Sequence, residues 1–240
     1  MRRLGFRGRL GLVVVLAVAV LVAVGLLQSR GTDTDPAAAG TGAVSTAPAG
    51  DPAPDPLAGI AVVAKRTKVP GYDRDRFGPA WTDDTDAPLG RNGCDTRNDI
   101  LERDLVDRVN FDIWRCPWAV RSGTLHDPYS GAVIAFQHGD DTSSAVQIDH
   151  IVSLALAWDM GASAWTPERR IRFANDPVNL IAVAGEANFA KASHTPSGWM
   201  PPNEAFRCDY AHRFTSVLLE YGLPIDRASA EALRGAMRVC

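Results

Sequence analysis

Excess charge of one sign is what this sequence has least of. Its formal net charge is only -3, which argues against a protein that coats nucleic acid through bulk positive charge. It does not exclude an enzyme that binds phosphates locally and lets product go. Cysteine is scarce as well, with four residues at Cys94, Cys116, Cys208 and Cys240. No two of them have the Cys-x-x-Cys spacing that a structural zinc favours. An even count downstream of an export segment favours disulfides instead. The two clusters along the chain suggest Cys94 with Cys116 and Cys208 with Cys240, although four cysteines permit three pairings and the sequence does not choose among them. Internal repeats are absent. The stretch Ser29 to Pro56 is nearly devoid of aromatic and branched aliphatic residues, so it cannot offset the entropy of ordering. Its Ala, Gly, Pro, Thr, Ser and Asp make a flexible tether.

What is present is enough for a core. The chain has 240 residues, 46% of them hydrophobic and 22% charged, which is room for one substantial globular domain plus extra segments. Arg2, Arg3, Arg7 and Arg9 precede an unbroken apolar run from Leu10 to Leu27. A basic flank followed by an apolar core is an export signal. The run lacks a clean small-x-small cleavage site after it, and at about 18 residues it is just long enough to span as an anchor. Residues 1–28 are therefore read as a signal peptide or signal anchor, 29–56 as the linker, and 57–240 as the folded domain. Cleaved or retained, the segment puts the remainder outside the membrane, secreted or anchored to the extracellular face.

Within the domain, Thr96 to Val109 has helical spacing at Ile100, Leu101, Leu105 and Val109, with Asp95 or Thr96 as cap. Phe111 to Val120 and Ala132 to Phe136 read as strands around a turn-rich Asp127-Pro128-Tyr129-Ser130-Gly131. Ala145 to His150 alternates and can be a strand ending at His150. Ser153 to Ala164 has helical spacing, and Thr166-Pro167-Glu168 starts a helix carrying Arg169, Arg170 and Arg172. Val178 to Val183 is a second strand, and Gly185 turns the chain into a short helix holding Asn188 and Lys191. Glu204 to Tyr221 and a last helix capped by Asp226 complete the order.

Asp149-His150, then Asn179-Leu180, then Asn188 with Lys191 occur in an order that resembles the HNH endonucleases, specifically a secreted actinobacterial branch related to the GmrSD-type nucleases. The resemblance extends through Tyr72-Asp73-Arg74, Phe77-Gly78, Trp81, Cys94-Asp95-Thr96-Arg97, Asp127-Pro128-Tyr129, Trp199-Met200-Pro201-Pro202 and Cys208. It implies an exported, disulfide-stapled α+β domain with an embedded ββα-metal (His-Me finger) core, a helical insertion and flanking helices.

The chemistry accounts for the residue types. Phosphodiester hydrolysis needs a water nucleophile, a base and charge stabilisation on the leaving oxygen. His150, neutral near pH 7, is the candidate base. The resemblance implies that Asp149 is a metal ligand, with Asn188 supplying a neutral oxygen to the same ion. Two protein oxygens leave most of the shell to water and phosphate, as suits Mg2+ or Mn2+. Because neighbouring strand residues face opposite ways, a backbone turn at Asp149-His150 is expected. Asn179 resembles the residue that fixes the loop carrying the base. Lys191, Arg169, Arg170 and Arg172 are candidates to hold phosphates. The expected activity is divalent-metal-dependent cleavage of DNA, with RNA an open second substrate. The expected partner is nucleic acid, with a membrane contacted only through an uncleaved N-terminal segment. The rival readings are a non-catalytic extracellular binding module of the same fold and a metal-dependent hydrolase of another phosphodiester, such as a wall polymer.

Overall fold

The computed structural model describes residues 54–139 and 142–240. The expected export segment and nearly all of the linker lie outside the described residues. No helix among the described residues is long and apolar enough to cross a membrane.

The domain is α+β. Its strands are β1 (Val62–Val63), β2 (Val106–Asn110), β3 (Val120–His126), β4 (Val133–Gln137), β5 (Val146–His150), β6 (Leu180–Ala184) and β7 (Ile225–Asp226). Its helices are α1 (Thr96–Asp104), α2 (Leu154–Asp159), α3 (Pro167–Asn175), α4 (Gly185–Lys191), α5 (Arg207–Tyr221) and α6 (Arg227–Met237). Strands β2, β3 and β4 form one antiparallel sheet, β5 pairs antiparallel with β6, and β1 pairs parallel with β7.

The β5–β6 ribbon sits between two apolar clusters. Val146 and Ile148 of β5 join Leu180 and Ala182 of β6 on one face, packed with Ile100, Leu101 and Leu105 at α1. Ile181 and Val183 point the other way, into a larger cluster built on α2, α3, α5 and α6 with Phe173, Tyr210, Phe214 and Tyr221. Burial on both faces explains why every residue of β6 is buried and why it reads as a continuous apolar run. It also fixes the register, because a one-residue slip would exchange the two faces. Gly185, straight after β6, begins α4 where a Cβ would lie 2.4 Å from the Ser144 carbonyl oxygen. Only glycine admits that approach of backbone to backbone.

Local signals set the helix ends. Asp95, Ser153, Thr166 and Asp226 each accept a backbone N–H in the first turn of α1, α2, α3 and α6, as N-caps do. Gly222 ends α5 in the left-handed conformation at φ 60°, the usual helix stop.

Several sequence expectations require correction. The helix expected over Thr96 to Val109 ends at Asp104, and Val106–Asn110 pairs with β3 instead. Val109 is half exposed there, so its helical spacing was coincidental. The strand expected over Phe111 to Val120 exists only at Val120. Before it, the chain forms a loop closed by the Cys94–Cys116 disulfide, which spans 22 residues. The helix expected to Ala164 breaks at Gly161, φ 129°, and continues as a 3-10 turn, Ala162–Ala164.

The second disulfide joins Cys208 at the start of α5 to Cys240, so both pairings suggested by the clustering are the ones formed. Replacing Cys94 and Cys116 together by serine is expected to cost about 3 kcal/mol, from the loop it would release in the unfolded chain. A urea titration of wild type and double variant reads this as a lower midpoint at similar slope.

Candidate functional site

Strand β5 carries the reactive pair to its last two positions. Its final residue, His150, is buried, with its ring stacked on Trp81 at 5.4 Å between centroids and 13° between planes. His150 Nε2 lies 2.9 Å from the Ala174 carbonyl oxygen, near the end of α3. A carbonyl only accepts, so Nε2 carries the proton in the neutral ring and Nδ1 keeps the lone pair. No hydrogen bond to Nδ1 is formed among the described residues. Burial drives the His150 pKa down to about 3 from its ordinary 6.5, against the Ala174 bond and with help from the cations Arg74 and Lys191. The imidazole is thus a neutral base across the physiological range.

Immediately after His150 the backbone is clamped. Asn179, fully buried, accepts the Val152 N–H on Oδ1 at 2.9 Å and donates Nδ2 to the Val152 carbonyl at 3.2 Å. Its own carbonyl accepts from Ile151 N at 2.8 Å. These three bonds satisfy backbone that leaves the strand after His150 and fix where the ring sits. Asn179 therefore touches the chain that carries the base.

Asp149 faces α4. Its carboxylate accepts from Lys191 Nζ at 3.1 Å on Oδ1 and 3.0 Å on Oδ2, and from the Tyr129 hydroxyl at 2.7 Å. Lys191 is 1% exposed and also donates to the His150 carbonyl at 2.9 Å. Burial pushes the Asp149 carboxyl upward, with Lys191 and Tyr129 pulling the other way. Tyr129, wholly buried and beside this carboxylate, is held as a neutral phenol. On the same face, Asn188 Nδ2 donates to Gln147 Oε1 at 2.8 Å. Its Oδ1 makes no hydrogen bond among the described residues.

Asp149, His150 and Asn188 line one open cavity of about 590 Å³. The structure thus brings the expected base and both expected metal ligands to a single space, across the two faces of β5. Lys191 is elsewhere than a phosphate-holding residue needs to be, since its ammonium is sealed against Asp149. The three arginines of α3 also lie off the cavity. Arg169 donates to the Tyr221 carbonyl at 2.9 Å and covers the Trp165 ring. Arg170 is buried and donates to the carbonyls of Arg76 and Trp165. Arg172 donates to the Asp86 carbonyl at 2.6 Å. They tie α3 to its neighbours. The guanidiniums that do line the cavity belong to Arg74 and Arg97. Both stand in words that carried the resemblance, as do Trp81 and Tyr129, but sequence reasoning gave them no chemical role.

Cys208, His212 and Cys240 also lie close together. The two sulfurs are bonded to each other, so no thiolate is available to hold a metal.

Residues 95–236 match the family described as GmrSD restriction endonucleases, C-terminal domain. An uncharacterized secreted protein of Arthroderma benhamiae is 36% identical over 172 residues, which is 71% of this chain and 76% of the relative. No solved structure matches. The matched span holds β5, β6 and α4 whole, while Tyr72, Arg74 and Trp81 of the cavity wall precede it, and on these likenesses the chain belongs to the GmrSD restriction endonuclease C-terminal domain family, a nuclease lineage.

Proposed function

We propose that this protein is an extracellular, divalent-metal-dependent endonuclease of the HNH type, acting on DNA, with His150 as general base. The observation that carries the reading is the tautomer imposed by Ala174. One ring nitrogen is tied to a carbonyl and the other keeps its lone pair free of protein partners among the described residues, on a residue that lines a cavity with Asn188 and Asp149. In this reading a water enters the cavity and gives its proton to His150 Nδ1 while its oxygen attacks phosphorus. The bond from phosphorus to the 3′ oxygen breaks as the new one forms. Asn179 acts by holding the turn after His150 in place. The stacked Trp81 ring keeps the imidazole plane from rotating.

The donors present fit a hard cation. Asn188 Oδ1 is free of protein partners among the described residues. Asp149 is held by Lys191, Tyr129 and the His150 backbone N–H, so its carboxylate would share an ion with the Lys191 ammonium. Oxygen donors of this kind suit Mg2+ or Mn2+ with several waters retained. A bound ion there would supply charge stabilisation at the departing oxygen. Because the Lys191 ammonium offsets the Asp149 charge, the protein presents little net negative charge to such an ion, and affinity falls with ligand charge.

The two disulfides, the basic and apolar N-terminal segment, and the secreted description of the relative support export, with residues 1–28 as signal or anchor and 29–56 as tether. Supercoiled plasmid is the test substrate. Nicking in Mg2+ or Mn2+, abolished by EDTA, is the expected result. Asn188→Ala is expected to shift the metal titration to concentrations about tenfold or more higher. Nicking that survives EDTA undiminished would remove the metal from the mechanism, and none under any divalent ion would leave a binding module or a hydrolase of another phosphodiester.

A further inference from the structure

Two cations in the cavity form no ion pair among the described residues. Arg97, in the first turn of α1, lines it and places one guanidinium nitrogen, Nη2, on the carbonyls of Ser143 at 3.1 Å and Val146 at 2.9 Å. Neutral carbonyls orient a guanidinium without cancelling its charge, and a partly buried charge left so is costly. The remaining guanidinium nitrogens form no hydrogen bond among the described residues. Arg74 opens the 3-10 turn Arg74–Phe77 and lines both this cavity and the adjoining cleft at Trp81 and His150. Its side chain is exposed and forms no hydrogen bond or ion pair among the described residues. Its charge is close enough to act on the His150 ring. The one carboxylate lining the cavity, Asp149, is already matched by Lys191. The space therefore carries two guanidiniums without an ion-pair partner among the described residues, Asp95 acting on Arg97 only from a distance, in a chain whose net charge is -3. A local positive well on a mildly acidic protein is a site for an anion, and planar forked donors suit phosphate oxygens.

We propose that Arg74 and Arg97 form the phosphate clamp of this site, gripping backbone phosphates of a nucleic-acid strand beside the phosphodiester that faces His150. The clamp rests on the nuclease reading and takes the role expected of Lys191 and the α3 arginines. Arg97, anchored by two carbonyls, is the fixed jaw. Arg74, exposed and unanchored, is the mobile one. The carbonyl bonds of Arg97 also tie the clamp to the first residue of β5, the strand that ends in His150.

Binding of a fluorescein-labelled DNA duplex in EDTA, read by anisotropy over a salt series, tests this without any turnover. Arg74→Gln and Arg97→Gln are each expected to weaken binding about tenfold and to lower the slope of log affinity against log salt by about 1. Arg97→Lys should keep most of the slope while losing affinity, because the charge remains and the fork is lost. Arg169→Gln and Arg172→Gln should leave the slope unchanged. The Arg74 side chain is exposed and forms no hydrogen bond or ion pair among the described residues, so its variant stays informative if Arg97→Gln folds poorly. Wild-type binding with an unchanged salt slope in Arg74→Gln overturns the clamp and leaves the nuclease reading standing. A loss of affinity without a change of slope overturns it too, as a structural effect. A wild type that nicks plasmid through the α3 arginines would show the slope change in Arg169→Gln or Arg172→Gln instead. A wild type that binds neither duplex nor single strand overturns both readings.

Discussion

His150→Ala is expected to lower plasmid nicking by about 10³-fold, in the range a general base contributes, with the circular dichroism of the folded chain retained. The expectation rests on His150 Nδ1 being the nitrogen that keeps its lone pair, with Nε2 committed to Ala174. The same substitution has a signature in stability that does not depend on activity. In EDTA, the folded imidazole titrates at about 3 and the unfolded one near its ordinary 6.5. Between those values the unfolded chain binds a proton that the folded chain refuses, so stability rises with pH across this window and is lost as pH falls through it. The difference amounts to at most about 5 kcal/mol at the acid end. His150→Ala should flatten that part of the urea midpoint against pH. Undiminished nicking in the variant would end the assignment of the base, whatever the stability curve does.

Lys191→Met is expected to have the largest effect on folding. The ammonium and the Asp149 carboxylate are 1% and 6% exposed, and removing one partner leaves the other buried and uncompensated. Such a loss costs about 3–5 kcal/mol, a fall in melting temperature on the order of 10 °C for a domain of this size. The double variant Asp149→Asn with Lys191→Met should recover most of it, because both charges leave together and an asparagine oxygen still accepts from Tyr129. The cycle therefore separates a pair from two independent effects. If Lys191→Met melts like wild type but binds DNA poorly, the lysine belongs with the substrate and its burial against Asp149 is not its working state.

The legible parts of this chain were those in which a local signal decides the outcome. Caps at Asp95, Thr166 and Asp226 and the Gly222 stop act over one turn of chain, and each is visible as a residue type at a fixed offset. The β5, β6 and α4 segments were readable for the same reason. Val109 was misread because pairing with β3 outweighs a helical spacing that costs nothing to break. Arg169, Arg170 and Arg172 read as a solvated helix face or as candidates to hold phosphates, because three cations on a short helix fit both. Their carbonyl partners, Tyr221, Arg76, Trp165 and Asp86, come from distant parts of the chain and leave no local mark. Arg74 and Arg97 were inconspicuous because each is a single cation in its segment. Only tertiary structure puts them around one space. The burial of Lys191 against Asp149 is not legible from residue type, since lysine is almost never fully buried unless paired.

The entry and exit of the folded unit are held to each other. Val62 and Val63 run alongside Ile225 and Asp226, and Asp55 pairs with Arg234 of α6. A pull on the chain before Asp55 meets the Asp55–Arg234 pair and then these two rungs, and opening both leaves the five-rung pairing of the ribbon that carries His150 as it was.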